Sequence, residues 1–252
     1  MKNNNRQLAR IFRRRDVLAL FRAAGTAILV VGCIPRKSSL AVPAPSVVNY
    51  ATLPACIVSP EQTEGPYFVD EKLNRSDIRS DPTNALVKSG TPLHLILHIS
   101  QIGSTGCTPL GGAIVDVWHC DALGVYSDVA DPNFGTVGQK FLRGYQVSNA
   151  NGNVEFITIY PGWYEGRTVH IHFKIRTDGT LGQPYEFTSQ LYFDDSITNE
   201  VHSQTPYTSK GQRTLKNADD GIFTDGGEQM LLKLAKNGQG YAATFNVGLK
   251  VT

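Results

Sequence analysis

The 252-residue chain is short of charge and of cysteine: Asp, Glu, Lys and Arg make up only 18% of it, and it holds four cysteines. Cys33, Cys56, Cys107 and Cys120 nowhere stand in a CxxC spacing, which excludes the usual thiolate zinc site. A long apolar run is also missing. The most apolar stretch, inside "RQLARIFRRRDVLALFRAAGTAILVVGC", is broken by Arg22 and falls short of the roughly 18 to 20 apolar residues a spanning helix needs. There is no internal repeat, no coiled-coil heptad and no glycine loop for phosphate. The net charge of +2 conceals a further deficit, because residues 1–41 carry nine Lys or Arg against one Asp and the rest carry fifteen against twenty-one. A domain near −6 with no basic stripe lacks the phosphate neutralisation from which nucleic-acid affinity comes. Nucleic acid is therefore excluded as a partner, and a small molecule is expected.

What is present begins with a leader. Residues 1–41 have a basic start, a short apolar run and then small residues, and read as an export signal. Arg14 and Arg15, followed by "DVL", resemble a twin-arginine signal, with Val17 where phenylalanine is preferred. "VVGC" ending at Cys33 resembles a lipoprotein cleavage box, which would put a lipid anchor on Cys33, whereas "SLAVPA" offers an ordinary cleavage site; both stay open. A periplasmic, cell-surface or extracellular location is expected. In such an oxidising compartment one disulfide among Cys56, Cys107 and Cys120 is expected, with its pairing open. Residues 42–60 read as a proline-rich tether and 61–252 as the folded domain.

From residue 91 onward the dominant period is two, the mark of half-buried strands. "PLHLILHIS", "AIVDVWHC", "NVEFITIY", "TVHIHFKIR" and "SQLYFDD" all show it, separated by turn-rich segments such as "GSTGCTPLGG" and "NANGN". The pattern predicts an all-β antiparallel sandwich with long loops and little helix. Around Asn237-Gly238 two apolar runs signal a hairpin, while "GGEQMLLKLAKN" competes as a helix because its residues are good helix formers.

In a strand, residues i and i+2 share a face, so His170 and His172 project together, opposite Val169, Ile171, Phe173 and Ile175. Two adjacent imidazoles make a chelating edge, although HxH alone occurs as a surface pair. A two-His-one-carboxylate site finds no local support, because residues 173–177, "FKIRT", contain no Asp or Glu. The remaining donors nearby are phenols.

Four motifs in order, "QTEGPYF" at 62–68, "WHCDALGVY", "PGWYEGRTVHIHFKI" and "TSQLYF", resemble the intradiol ring-cleavage dioxygenases, which open catechols between their two hydroxylated carbons. The resemblance implies a β-sandwich catalytic domain and a non-haem ferric ion, Fe(III), held by Tyr126, Tyr164, His170 and His172. It implies that Tyr164 is the axial ligand and also a base, that Arg167 is the active-site arginine, and that Gln190 hydrogen-bonds near the substrate ring. A catechol-type substrate and O2 would give a muconate-type diacid. Only five residues separate Tyr164 from His170, fewer than in protocatechuate-type members, which implies a more open pocket. The catechol-type members' dimer mode is not implied, so the oligomeric state stays open. Trp118 reads as core, Tyr67 as a possible pocket wall, and His94, His98, His119 and His202 as hydrogen-bonding structural residues. Two alternatives stand beside this reading: a non-catalytic exported β-sandwich binding module, and an enzyme using another metal through the same HxH.

Overall fold

The period-two segments become two packed sheets. The computed structural model describes residues 57–250 except 105, 178 and 180–183. The leader with Arg14, Arg15 and Cys33, and the tether as far as Cys56, lie outside the described residues. In chain order the strands are β1 (Pro92–Gly103), β2 (Gly106–Pro109), β3 (Ile114–Trp118), β4 (Ala130–Asp131), β5 (Phe134–Gly135), β6 (Arg143–Val147), β7 (Asn153–Ile159), β8 (His170–Thr177), β9 (Tyr185–Tyr192), β10 (Ala235–Asn237) and β11 (Gly240–Leu249). Two short α-helices are described, α1 (Asp195–His202) and α2 (Gly221–Thr224).

One sheet runs β10-β11-β1, with β2 and β7 pairing along the other edge of β1; the second runs β6-β3-β8-β9, and β4 and β5 form a small ribbon. The all-β sandwich is as the alternation predicts, and among the described strands one pair departs from antiparallel pairing. β1 and β11 lie parallel, Leu93 opposite Tyr241 through Gln101 opposite Leu249. Leu93, Leu95, Leu97 and Ile99 of β1 meet Val115 and Val117 of β3 and Ile171, Phe173 and Ile175 of β8 in one core, each at most 1% exposed. Burial of each such side chain is worth roughly 1.5–3 kcal/mol, which is what locks the two sheets face to face.

β8 is enclosed on both sides. Its odd residues fill the core, yet His170 and His172 on the opposite face are also buried. Residues 60–63 run along β9, the strand beside β8. The Gln62 amide donates to Thr188 O at 2.9 Å, Gln190 Nε2 donates to Thr63 O at 2.9 Å, and Ser189 Oγ donates to Pro60 O at 2.7 Å. Ser59, at the end of the segment read as a tether, donates its amide to Gly248 O of β11.

The hairpin prevails over the helix at 226–237. Only one 3₁₀ turn, Gly227–Met230, forms there. Leu231 then bridges Tyr192 in parallel, the Leu232 amide donates to Tyr192 O, and Asn237 pairs with Gly240 around Gly238. Edge pairing to β9 captures the backbone groups that a helix would have used internally. Of the three candidate cysteines, Cys107 is disulfide-bonded and Cys120 is free and buried, so the partner of Cys107 lies outside the described residues.

Candidate metal centre

Strand register assembles one half of the site. In β8 the pleat turns His170 and His172 to the same face; His172 stands opposite Trp118 of β3 and Gln190 of β9, and His170 opposite Tyr192. The Trp118 indole stacks on the His172 ring at 4.9 Å between centroids and 7° between planes, which fixes that imidazole from one side. Trp118 is thus core, as expected, and also a wall of the site.

Loops bring the other half. Tyr126 follows a turn in which Asp121 Oδ1 accepts from the amides of Leu123 and Val125, and Tyr164 lies in the loop between β7 and β8. Each tyrosine comes two residues after a glycine, Gly124 and Gly162, and at those glycines the loops touch. A Cβ on Gly124 would stand 2.1 Å from Trp163 O, and one on Gly162 would stand 2.3 Å from Ala122 O. The Gly162 amide donates to Asp121 O at 3.0 Å. Only glycine permits that backbone approach, and the Tyr126 and Tyr164 rings consequently meet edge to face at 5.7 Å.

The polar atoms converge. His170 Nδ1 lies 2.6 Å from the Thr168 carbonyl, which can only accept, so Nδ1 carries the proton and Nε2 keeps its lone pair. That Nε2 is 3.0 Å from His172 Nε2 and 3.2 Å from Tyr164 Oη. The Tyr126 hydroxyl is fully buried beside them, with the Tyr164 hydroxyl as a polar neighbour and no hydrogen bond of ordinary geometry among the described residues. Burial, and then the nearby Arg167 cation, lower the His170 pKa to about 3, and burial likewise holds His172 well below the ordinary imidazole value. Burial also raises Tyr126 and Tyr164 above the ordinary phenol value. Four neutral donor groups are therefore packed together without a counter-charge.

Such a set fits a small, highly charged cation. Two neutral imidazole nitrogens bind directly, and a cation would reverse the phenols' tendency to stay protonated, because an adjacent positive charge favours phenolate. Among the described residues, no group of three or more His, Cys, Asp and Glu is arranged to hold a metal.

Arg167 and Gln190 also reach the site and bond each other: Arg167 Nη2 donates to Gln190 Oε1 at 2.6 Å, while Arg167 Nε donates to Asp220 Oδ2 at 2.9 Å. Asp220 was not legible as a site residue in the sequence; it caps α2 and nothing in "NADDG" marks it. Tyr67 stacks on Tyr126 at 4.5 Å and donates to Asp131 Oδ2 at 2.8 Å. It lines the phenol cluster, and burial followed by that bond raises its pKa to about 12. The remaining histidines are structural: His119 bonds Cys120 O and Thr158 Oγ1, His202 bonds Pro161 O, and His94 pairs with Glu155.

Comparison with known proteins shows the family of the chain. A family model described as Dioxygenase matches residues 63–205. The chain is 28% identical over 163 residues to a chlorocatechol 1,2-dioxygenase of Rhodococcus opacus, covering 56% of this chain and 61% of that protein. It is 32% identical over 137 residues to the protocatechuate 3,4-dioxygenase beta chain of Burkholderia cepacia, covering 51% and 56% respectively. The matches thus span less than two thirds of the length of these curated relatives. Among solved structures, an intradiol ring-cleavage dioxygenase from Tetranychus urticae superposes with a TM-score of 0.67 at 33% identity, over 77% of this chain and 95% of that one. With more than half of its length matched by the family model and nearly all of that structure covered, the chain belongs to the intradiol ring-cleavage dioxygenase family.

Proposed function

We propose that the protein is a non-haem Fe(III)-dependent dioxygenase that cleaves a catechol-type ring between its hydroxylated carbons, consuming O2 and yielding a muconate-type diacid. One observation carries the reading: Nε2 of His170 lies within 3.2 Å of both His172 Nε2 and Tyr164 Oη, beside a buried Tyr126 hydroxyl whose polar neighbour is the Tyr164 hydroxyl. A non-catalytic binding module would have no use for this buried set.

Tyr126, Tyr164, His170 and His172 would hold the iron. When bound, ferric iron supplies Lewis acidity toward phenolate and catecholate oxygens and a path for ring electron density toward dioxygen. The residues divide the remaining work. His170, its tautomer fixed by Thr168, and His172, fixed by Trp118, present nitrogens that stay neutral well below pH 7. Tyr126, 1% exposed and stacked by Tyr67, is the immobile phenol. Tyr164 is half-buried beside exposed Glu165 and Gly166, so, once ionised to phenolate, its Oη is the one able to receive a proton from an arriving catechol hydroxyl. Arg167, anchored by Asp220 and Gln190, sets a fixed cation where negative charge would develop on the ring. Tyr67, Phe68 and Trp118 form the apolar wall that keeps water from the donor cluster. The short loop from Tyr164 to His170, exposed at its tip, supports an entrance open to substituted catechols.

The test is oxygen uptake by the iron-loaded protein with catechol and substituted catechols, alongside Tyr164→Phe. A product heavier than substrate by two oxygen atoms, lost in the variant, is expected. No uptake with any catechol would overturn the reading. The leader supports export of the folded, iron-loaded protein. Replacing Arg14 and Arg15 by Lys is expected to strand iron-containing precursor in the cytoplasm, and normal export of that variant would contradict it.

A further inference from the structure

Arg167 is gripped along one edge of its guanidinium. Nε donates to Asp220 and Nη2 to Gln190, and these two nitrogens form the side-on edge of the fork. Gln190 is a weaker anchor than Asp220, because it is neutral and its Oε1 also accepts from Tyr192 Oη at 3.1 Å.

Asp220 is 2% exposed and its carboxylate is filled with donors. Oδ2 accepts from Arg167 Nε at 2.9 Å and from the Thr168 amide at 2.7 Å; Oδ1 accepts from the amides of Ile222 and Phe223 at 2.8 and 3.1 Å. Burial alone would push this carboxyl up, but the Thr168 amide and the guanidinium outweigh it and hold Asp220 below the usual carboxylate range. An amide in its place would face at least one of these donors with an NH2 group. Thr168 carries the contact further. Its carbonyl accepts from His170 Nδ1, and its Oγ1 is 2.6 Å from Asn217 Oδ1. One segment, Asn217 to Asp220, thus docks both the arginine and the residue that orients His170. Asp220 lies beyond residues 63–205, the part of the chain matched by the family model.

We propose that Asp220 is the positioning residue for Arg167: its carboxylate holds the Nε edge, so that the opposite end of the guanidinium, Nη1 and the outer hydrogen of Nη2, is presented to a bound catechol. Its kinetic consequence rests on the ring-cleavage reading; the placement of the arginine rests on geometry alone. The competing role is purely structural, with Asp220 serving only to cap α2 and tie it to the start of β8.

Two measurements separate these roles. The first uses metal-free protein and needs no activity: hydrogen exchange of the Arg167 Nε–H, followed by NMR and assigned by its loss in Arg167→Lys. In Asp220→Asn its protection is expected to fall about tenfold or more while thermal unfolding still shows a folded protein. Unchanged protection overturns the proposal. The second is a kinetic cycle of wild type, Asp220→Asn, Arg167→Lys and the double variant, using iron-loaded protein and catechol. Asp220→Asn is expected to lower kcat on the order of 100-fold with KM changed less than about threefold. On the Arg167→Lys background, where no Nε exists to be held, the same change should cost less than about twofold. Equal fold losses on both backgrounds mean that Asp220 acts on the fold and overturn the proposal. If Asp220→Asn does not fold, Asp220→Glu, which keeps the charge but shifts it by one methylene, is read in the same two ways. A wild type that cleaves no catechol defeats the ring-cleavage reading, and the exchange measurement then decides the role of Asp220 by itself.

Discussion

His170 Nε2 and His172 Nε2 face each other 3.0 Å apart on the buried face of β8. The pleat puts both imidazoles on that face, Thr168 orients one ring and Trp118 stacks the other, and because His170 carries its proton on Nδ1, its Nε2 accepts a hydrogen bond from His172 Nε2. A bound cation would take both Nε2 lone pairs in place of that hydrogen bond, leaving the His172 proton on Nδ1, which has no hydrogen-bond partner among the described residues.

The same burial gives the protein an acid limit. Burial lowers His170 to about 3, and it lowers His119 to about 4 despite the raising effect of its bond to Cys120 O. The unfolded chain takes up these protons near the ordinary imidazole value of about 6.5, before the native state does. Stability from both groups is therefore complete above about pH 6.5 and is lost as pH falls toward 4 and below, by up to about 1.4 kcal/mol per pH unit for each histidine. Urea unfolding of metal-free protein between pH 7.5 and 4.5 should show this decline, with a shallower slope in His119→Gln; a flat profile would contradict it.

Tyr126→Phe should change stability and iron binding in opposite directions. The hydroxyl is buried without a hydrogen bond, so its removal is expected to stabilise the metal-free protein by about 1 kcal/mol. The same change removes a phenolate donor and should weaken ferric affinity. Denaturant unfolding and iron titration on the one variant check both signs together.

Two glycines near the phenols should respond differently to alanine. Gly124 combines a φ of +78° with a Cβ position 2.1 Å from Trp163 O, so Gly124→Ala is expected to cost about 3 kcal/mol and to separate the tyrosine-bearing loops. Gly166 has a φ of +84° but nothing within 4 Å of its Cβ position, so Gly166→Ala should cost only about 1 to 2 kcal/mol and leave the donor set in place. Thermal unfolding ranks the two, and iron affinity should fall only in the first.

The parts of this molecule that depend on local alternation were legible before the structure. Leu93 to Ile99 and Val169 to Ile175 declare their buried face by period two, and the shared face of His170 and His172 follows from the same pleat. The parallel pairing of β1 with β11 was not legible, because no local signal ties the register of strands at opposite ends of the domain. The meeting of Tyr126 and Tyr164 depends on loop contacts that periodicity cannot express, and family resemblance supplied it. A local signal did exist in the matching Gly-x-Tyr of "GVY" and "GWY", whose glycines are the points where the loops touch. Asp220 left no trace, because its partners, Arg167 and Thr168, stand far upstream and only the folded turn at 217–220 brings them together.

Visible absorption during Fe(III) titration of metal-free protein shows whether two phenols and two imidazoles hold ferric iron. One equivalent should produce a red-brown phenolate-to-iron charge-transfer band, weakened in Tyr164→Phe and in Tyr126→Phe and abolished in the double variant. Wild-type protein that binds one iron and stays colourless, or that keeps the full band in the double variant, would contradict it.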